Sequence, residues 1–329
     1  MDRRRFLLTS VASALARSRA AMAQVTPGTY RLGILTPGAC DTTSAPSTTR
    51  AVAAFLREHG YVEGRNLAIE PRCAEGKLDR LSGLAESLPR LPVDVILALS
   101  PVAVQAAKRA TATIPIIMLL TYSDPVELGF VTTLAHPGGN ITGVVLAAEP
   151  ALAGKRLELI KEAVPRAVRV AILTTREAGS KTQVEWAERA ASALSVKLVP
   201  VELLGGDYEG AFAKMTAQRA EALVVVTSVL LANGRERIIE LSAKHRLPTI
   251  HDWSEDAETG GLITYGGSRR ETARRLAVYV ERIFKGAKPA DLPVERATTF
   301  ELVINLRTAK TLGLTIPPSL LARADKVIE

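Results

Sequence analysis

Six clusters of hydroxyl, acidic and aromatic side chains share one kind of position in this sequence, directly after a short apolar run rich in β-branched residues. In the first half they are Thr36-Pro-Gly-Ala-Cys40, Ser100-Pro101 and Thr121-Tyr-Ser-Asp124. In the second half they are Thr174-Thr-Arg176, Thr227-Ser228 and His251-Asp-Trp253. Such a run reads as a strand. A strand feeding a helix presents free backbone N–H groups and the positive end of the helix dipole to whatever lies above it. Ser and Thr hydroxyls add donors, so the chemistry on offer is noncovalent capture of a carboxylate.

The candidates differ in what they bring. Ser100, with Pro101 at the first helical position, is the best single position for a ligand carboxylate, and it also reads as a plain helix cap. Asp124 before Pro125 reads as a cap too, or as an acceptor for a ligand amine. Tyr122, Trp253 and Tyr265 lie at or beside strand ends in a chain with only 4% aromatics. They can stack on a planar ligand or pack between the two halves of the chain. Arg176 can clamp an anion bidentately or stay a solvated loop arginine. Thr36, Thr121, Ser123, Thr174, Thr175, Thr227, Ser228 and Asp252 complete the expected set.

Bond-making chemistry lacks its usual patterns. No G-x-G-x-x-G follows Tyr30–Leu35, and there is no Walker sequence, no C-x-x-C, no H-E-x-x-H and no G-x-S-x-G elbow. His59, His136, His245 and His251 have no metal spacing, so neither metal nor cofactor is expected. A secreted α/β enzyme would have only Asp124 and Asp252 as an acid–base pair.

The elements that position these loops alternate. Strands are predicted at Tyr30–Leu35, Leu67–Glu70, Val93–Leu99 and Ile114–Leu120, with helices at Thr48–His59, Leu78–Leu88 and Val102–Ala110. Apolar runs separated by helix-period segments read as βα units around parallel sheets buried on both faces. The pattern then repeats. Arg31-Leu-Gly-Ile-Leu-Thr36 is echoed by Arg169-Val-Ala-Ile-Leu-Thr174. Pro92-Val-Asp-Val-Ile-Leu-Ala-Leu-Ser100 is echoed by Ala220-Glu-Ala-Leu-Val-Val-Val-Thr-Ser228, and Ile114-Pro-Ile-Ile117 by Leu247-Pro-Thr-Ile250.

The fold expected is therefore α/β, with two doubly wound, Rossmann-like lobes of parallel sheet joined by a hinge. Residues 28–143 with about 262–290 would form lobe 1, and 144–261 with about 291–329 lobe 2. Facing strand ends then frame a cleft that closes on a small molecule.

The N-terminus reads as an export signal, cleaved after Ala23 at Ala21-Met-Ala23. Arg3-Arg-Arg-Phe-Leu7 fits the twin-arginine pattern, and an ordinary signal with an arginine-rich start is the alternative. Residues 1–23 hold five Arg and one Asp, so the formal charge of +8 falls to +4 without them. No basic block remains, which argues against nucleic acid as a partner. Cys40 and Cys73 follow the first and second strands. Adjacent parallel strands would bring them together, as a disulfide in an oxidising compartment or as two thiols.

Several stretches resemble one family. Gly60-Tyr-Val-Glu-Gly-Arg-Asn66, Ala74-Glu-Gly76 before Asp79-Arg80, and Asp124-Pro-Val126 with Gly129 and Pro137-Gly-Gly-Asn-Ile-Thr-Gly143 are similar to segments of ABC transporter substrate-binding proteins, the family that includes the tryptophan/tyrosine-type binding proteins. So are Lys155-Arg-Leu-Glu-Leu159 and the ending Phe300-Glu-Leu-Val-Ile-Asn-Leu306, Thr308-Ala-Lys310, Leu312-Gly-Leu-Thr-Ile-Pro-Pro318 and Leu321-Ala-Arg-Ala-Asp325. The likeness spans residues 30–329.

The resemblance implies a type I periplasmic-binding-protein fold, a monomer without catalysis or cofactor, and a periplasmic location. Transient docking on a membrane permease with its ATPase follows, with aromatic amino acids as the ligands of some members. A ligand-sensing module of a signalling receptor is the alternative role. Two loops depart from the family. Thr174-Thr-Arg-Glu-Ala178 stands where relatives often have an Asn-Pro-rich loop, and Thr227-Ser-Val-Leu-Leu231 where they often have an Asp-Pro-Phe-Phe type.

Overall fold

Buried apolar runs build two sheets. A computed structural model describes residues 28–40, 47–146, 150–297 and 300–329. The export signal read in residues 1–23 lies outside the described residues.

The first half alternates strand and helix as its periodicity demands. Its elements are β1 (Tyr30–Thr36), α1 (Thr48–Glu58), β2 (Leu67–Cys73), α2 (Leu81–Ser87), β3 (Val95–Leu99), α3 (Pro101–Ala110), β4 (Ile116–Thr121) and β5 (Ile141–Leu146). The expected Leu78–Leu88 helix is split into a 3-10 turn at Leu78–Arg80 and α2. Every residue of β3 and β5 is buried, as helices on both faces require.

The second half holds α4 (Pro150–Ala163), β6 (Arg169–Thr174), α5 (Ala178–Ala193), β7 (Lys197–Glu202), α6 (Tyr208–Ala217), β8 (Ala222–Val225), α7 (Val229–Asn233), α8 (Arg235–Lys244), β9 (Thr249–His251) and α9 (Glu255–Glu258). The chain ends with β10 (Ile263–Gly266), α10 (Arg269–Phe284), β11 (Glu295–Ala297), β12 (Glu301–Asn305), α11 (Leu306–Leu312), α12 (Pro318–Leu321) and β13 (Lys326–Ile328).

One sheet runs β11-β5-β4-β3-β1-β2 and is wholly parallel. The other runs β13-β12-β10-β9-β8-β6-β7 and is parallel except between β10 and β12. The repeated sequence stretches form equivalent strands, β1 with β6, β3 with β8 and β4 with β9. Each sheet places one of its duplicated strands at the point where the strand order reverses, which is where ligands bind in this architecture.

Sheet membership puts the crossings a few residues away from the sequence expectation. Residues 144–146 stay in the first sheet as part of β5, and β10 pairs in the second sheet through Ile263↔Ile250. The chain then returns, because α10 buries Ala273, Leu276, Tyr279, Val280 and Ile283 in the same core as Leu32, Ile34 and Leu97. Strand β11 pairs with β5 in the first sheet before β12 re-enters the second. The chain thus changes lobe after β5, between β10 and α10, and again between β11 and β12.

Glycine is obligatory at one core position. Gly143 in β5 has φ +141°, and a Cβ there would sit 2.2 Å from the carbonyl oxygen of Met118 on β4. Gly143→Ala should therefore cost about 3 kcal/mol or more in urea unfolding. Gly83 on the exposed face of α2 has open space around it, and Gly83→Ala should gain roughly 0.5–1 kcal/mol. An unchanged midpoint for Gly143→Ala contradicts the strand pairing described.

Candidate functional site

The carboxyl ends of the two sheets face one another and enclose a cavity. Lobe 1 contributes Thr36 from β1, Ser47 to Thr49 at the start of α1, Leu99 and Ser100 after β3, and Leu119 and Thr121 on β4. Lobe 2 contributes Thr227, Ser228, Val229, Ala232 and Asn233 around α7, Arg235 from α8 and Trp253 after β9. Arg269, the first residue of α10, closes the wall beside the crossing. The space is about 950 Å³ with its open mouth and the solvent in it included. The lobes also touch at the rim, since a Cβ on Gly38 would lie 1.9 Å from Asn233 Nδ2.

Ser100 is strained as well as buried. Its φ of 138° and ψ of 161° belong to a region that is essentially glycine's, and its Oγ accepts from the Ala103 N–H at 3.2 Å. The hydroxyl hydrogen is left to donate. Ser100 thus caps α3 and also lines the cavity. Ser228 caps α7 in the same way and donates to Glu177, which also accepts from Thr175 at 3.2 Å. Burial pushes the Glu177 carboxyl up, partly offset by those two donors.

The floor is a buried charge network. Asp256, 2% exposed, lies 3.4 Å from Arg269 Nη2, 3.7 Å from Arg235 Nε and 3.7 Å from His251 Nδ1. Burial raises its pKa, and Arg269 and Arg235 pull it back. His251 is pushed down to about 4, first by burial and then by the positive charges of Arg156, Arg235 and Arg269, against Asp252, so it is neutral at pH 7. The Arg269 guanidinium stacks over Trp253, 4.8 Å from the ring centroid. Its Nη1 is buried with no hydrogen-bond partner among the described residues.

A smaller chamber adjoins the cavity across Thr227 and Trp253, lined also by Tyr122, Arg156 and Asp252. Arg156 of α4 donates to the Tyr265 carbonyl at 2.8 Å and lies over the Tyr122 ring of lobe 1 at 5.6 Å. Tyr122 packs in turn on Trp186 at 5.8 Å. Asp252 is raised by burial and held down by Arg156. Gly266 closes this chamber, because a Cβ there would strike the Asp252 carbonyl oxygen at 1.8 Å.

The structure gathers part of the expected set. Thr36, Ser100, Thr121, Thr227, Ser228 and Trp253 line the cavity, and Tyr122 and Asp252 the chamber. Thr175 lies beneath, in the hydroxyl network with Ser180 and Ser228. The remaining positions lie elsewhere, each for a local reason. Asp124 caps the following turn through the Val126 N–H at 2.7 Å and meets Arg296, so it cannot serve a ligand amine or pair with Asp252 across the cleft. Arg176 is 78% exposed and bonded to Glu202. Ser123 is turned back onto the Thr121 carbonyl, Thr174 onto that of Thr175, and Tyr265 packs on Phe300. Cys40 and Cys73 are joined as a disulfide, with Cα atoms 5.3 Å apart, and Cys40 stands on the cavity wall.

Sequence reasoning missed Arg156, Arg235 and Arg269. All three sit on helices, outside the post-strand loops. The only available signals were Arg156 within Lys155-Arg-Leu-Glu-Leu159 and Arg269 at the start of a helix that follows a return strand.

Comparison with known proteins agrees with this geometry. The family described as ABC transporter substrate binding protein matches residues 42–328. A tyrosine-binding protein of Clostridioides difficile (strain R20291) is 26% identical over 273 residues, 82% of this chain and 78% of that protein. An ABC domain from Streptococcus pneumonia in complex with L-Trp aligns with a TM-score of 0.75 and 26% identity, covering 92% of this chain and 100% of that one. A conserved domain protein from Vibrio cholerae O1 biovar El Tor gives 0.77 and 26%, covering 91% and 99%. The two-lobed α/β architecture is the type I periplasmic binding fold. The matched family consists of binding proteins, not enzymes.

The neutral histidine has a measurable consequence. Its folded pKa of about 4 lies below the ordinary 6.5, so the unfolded chain takes up the proton first as pH falls. The stability that neutral His251 contributes is complete above pH 6.5 and is lost, by about 3 kcal/mol, on the way down to pH 4. Urea unfolding of wild type and His251→Gln from pH 7.5 to 4 isolates this term from the neighbouring aspartates. The gap between the two proteins should shrink as pH falls, and a constant gap contradicts a buried neutral imidazole.

Proposed function

We propose that this chain, which belongs to the ABC transporter substrate binding protein family, is exported to the periplasm and captures a small aromatic or carboxylate-bearing ligand, amino acids included, between its lobes for an ABC importer. The observation that carries this reading is the cavity between facing strand ends, with hydroxyls on both sides, two buried arginines and Trp253 on its wall. That combination suits an anion carrying an apolar ring. The relatives named for tyrosine and bound to L-Trp support a ligand of that size and kind.

Export is supported by the twin-arginine pattern at residues 3–7, with cleavage after Ala23, and by the Cys40–Cys73 disulfide, which suits an oxidising compartment. No helix among the described residues is long and apolar enough to cross a membrane. The protein works as a monomer that docks transiently on a permease, whose ATPase drives transport. The lobes swing about the connections between them, among them the one between β10 and α10, opening the mouth and closing it on the ligand.

A thermal-shift screen of aromatic amino acids, aromatic acids and small carboxylates tests this directly. A ligand at about 100 times its Kd should add roughly 2.7 kcal/mol of stability. Trp253→Ala should weaken binding of the best hit by about 10–100-fold, since it removes the ring and the support under Arg269. Finding no stabiliser in a broad set, or an unaffected Trp253→Ala, contradicts the reading.

A further inference from the structure

The charge on the cavity wall narrows the ligand class. Arg235 and Arg269, 4% and 3% exposed, both line it. No Asp or Glu among the described residues does. The nearby carboxylates, buried at Asp252 and Asp256 and half-buried at Glu177 and Glu255, each already have partners of their own. Asp256 is shared by the two arginines and His251. Asp252 opens to the adjoining chamber and is held down there by Arg156. Glu177 lies in an adjoining pocket that shares Ser100, Thr121, Thr227, Ser228 and Val229 with the cavity, and it accepts there from Thr175 and Ser228. Glu255 is taken up by the N–H groups of Arg269 and Arg270 at 3.0 and 2.9 Å and by the Ser268 hydroxyl at 3.0 Å.

A zwitterionic amino acid needs an acceptor for its ammonium as much as donors for its carboxylate. Here the ammonium would enter a low-dielectric space beside two guanidiniums, without a carboxylate of its own. A plain carboxylate meets the opposite situation, because Arg269, which lines the cavity, has a buried Nη1 with no hydrogen-bond partner among the described residues. The apolar remainder of the wall, Leu99, Leu119, Val229 and Trp253, suits a ring.

We propose that the cavity selects aromatic monocarboxylates that carry no ammonium group, with the carboxylate on the Arg269 and Arg235 side. This rests on the ligand-capture reading above and goes further in excluding free amino acids as the preferred ligand.

Calorimetric titration of the whole protein with two matched series tests it. The indole series is indole-3-propionate, L-tryptophan and tryptamine. The phenyl series is 3-phenylpropionate, L-phenylalanine and phenethylamine. In at least one series the deaminated acid should bind about tenfold or more tightly than the amino acid, and the amine not detectably. An amino acid binding as tightly as its deaminated acid, or any binding of an amine alone, overturns the proposal and leaves ligand capture standing. Failure of all six compounds overturns the proposal and counts against aromatic ligands altogether.

Discussion

A single carboxylate sealed among two guanidiniums and a neutral imidazole holds the site together. Asp256 cannot lose either arginine cheaply, because a buried charge stripped of its partner costs several kcal/mol, about 3–5 in comparable cases. Its partners come from three directions, Arg235 opening α8, His251 ending β9 and Arg269 opening α10. Helix α10 belongs to the core of the opposite lobe. The network therefore anchors the crossing at 267–268 as well as the cavity floor. It also fixes where positive charge is presented. Two arginines converge on one aspartate, and both remain on the cavity wall.

Around that floor the walls come from strand ends and helix starts. Strands β3 and β5 are buried throughout, and Ser100 and Ser228 cap the helices that follow β3 and β8 directly. The Cys40–Cys73 disulfide fastens the end of the first of these loops that the structure describes to β2, its neighbour in the sheet. Tyr122 stands between Arg156 and Trp186, so contacts across the cleft involve stacked rings and a guanidinium as well as backbone. Such contacts can separate and re-form without unfolding either sheet, as lobe closure requires.

Much of this was legible in the sequence, for a physical reason. Strands buried on both faces must be apolar throughout, so β1, β3, β4 and their counterparts β6, β8 and β9 announce themselves, and so does their duplication. Residues following those strands fall on the cavity wall where backbone geometry decides their position, as at Ser100, Thr227 and Trp253. Reading failed where side-chain partners decide. Asp124 and Arg176 look like binding residues until Val126, Arg296 and Glu202 claim them. The three buried arginines lie on helices whose sequence alone gives no hint of which face meets the cleft. Strand β11 is three residues long, too short for any periodicity to betray which sheet it joins. The sequence reading puts residues about 262–290 in lobe 1; α10 shares a core with Leu32 and Ile34 there, whereas β10 pairs in the second sheet.

Capture of an anion on the arginine wall of the interlobe cavity is the proposal from which the ligand class follows. A crystal structure of the protein grown with a tightly bound aromatic carboxylate tests it most directly. The carboxylate should lie within about 3 Å of a guanidinium nitrogen of Arg269 or Arg235, with the ring against Trp253 and Leu119. Ligand density outside the cavity, or inside it with the carboxylate turned away from both arginines, would contradict the claim.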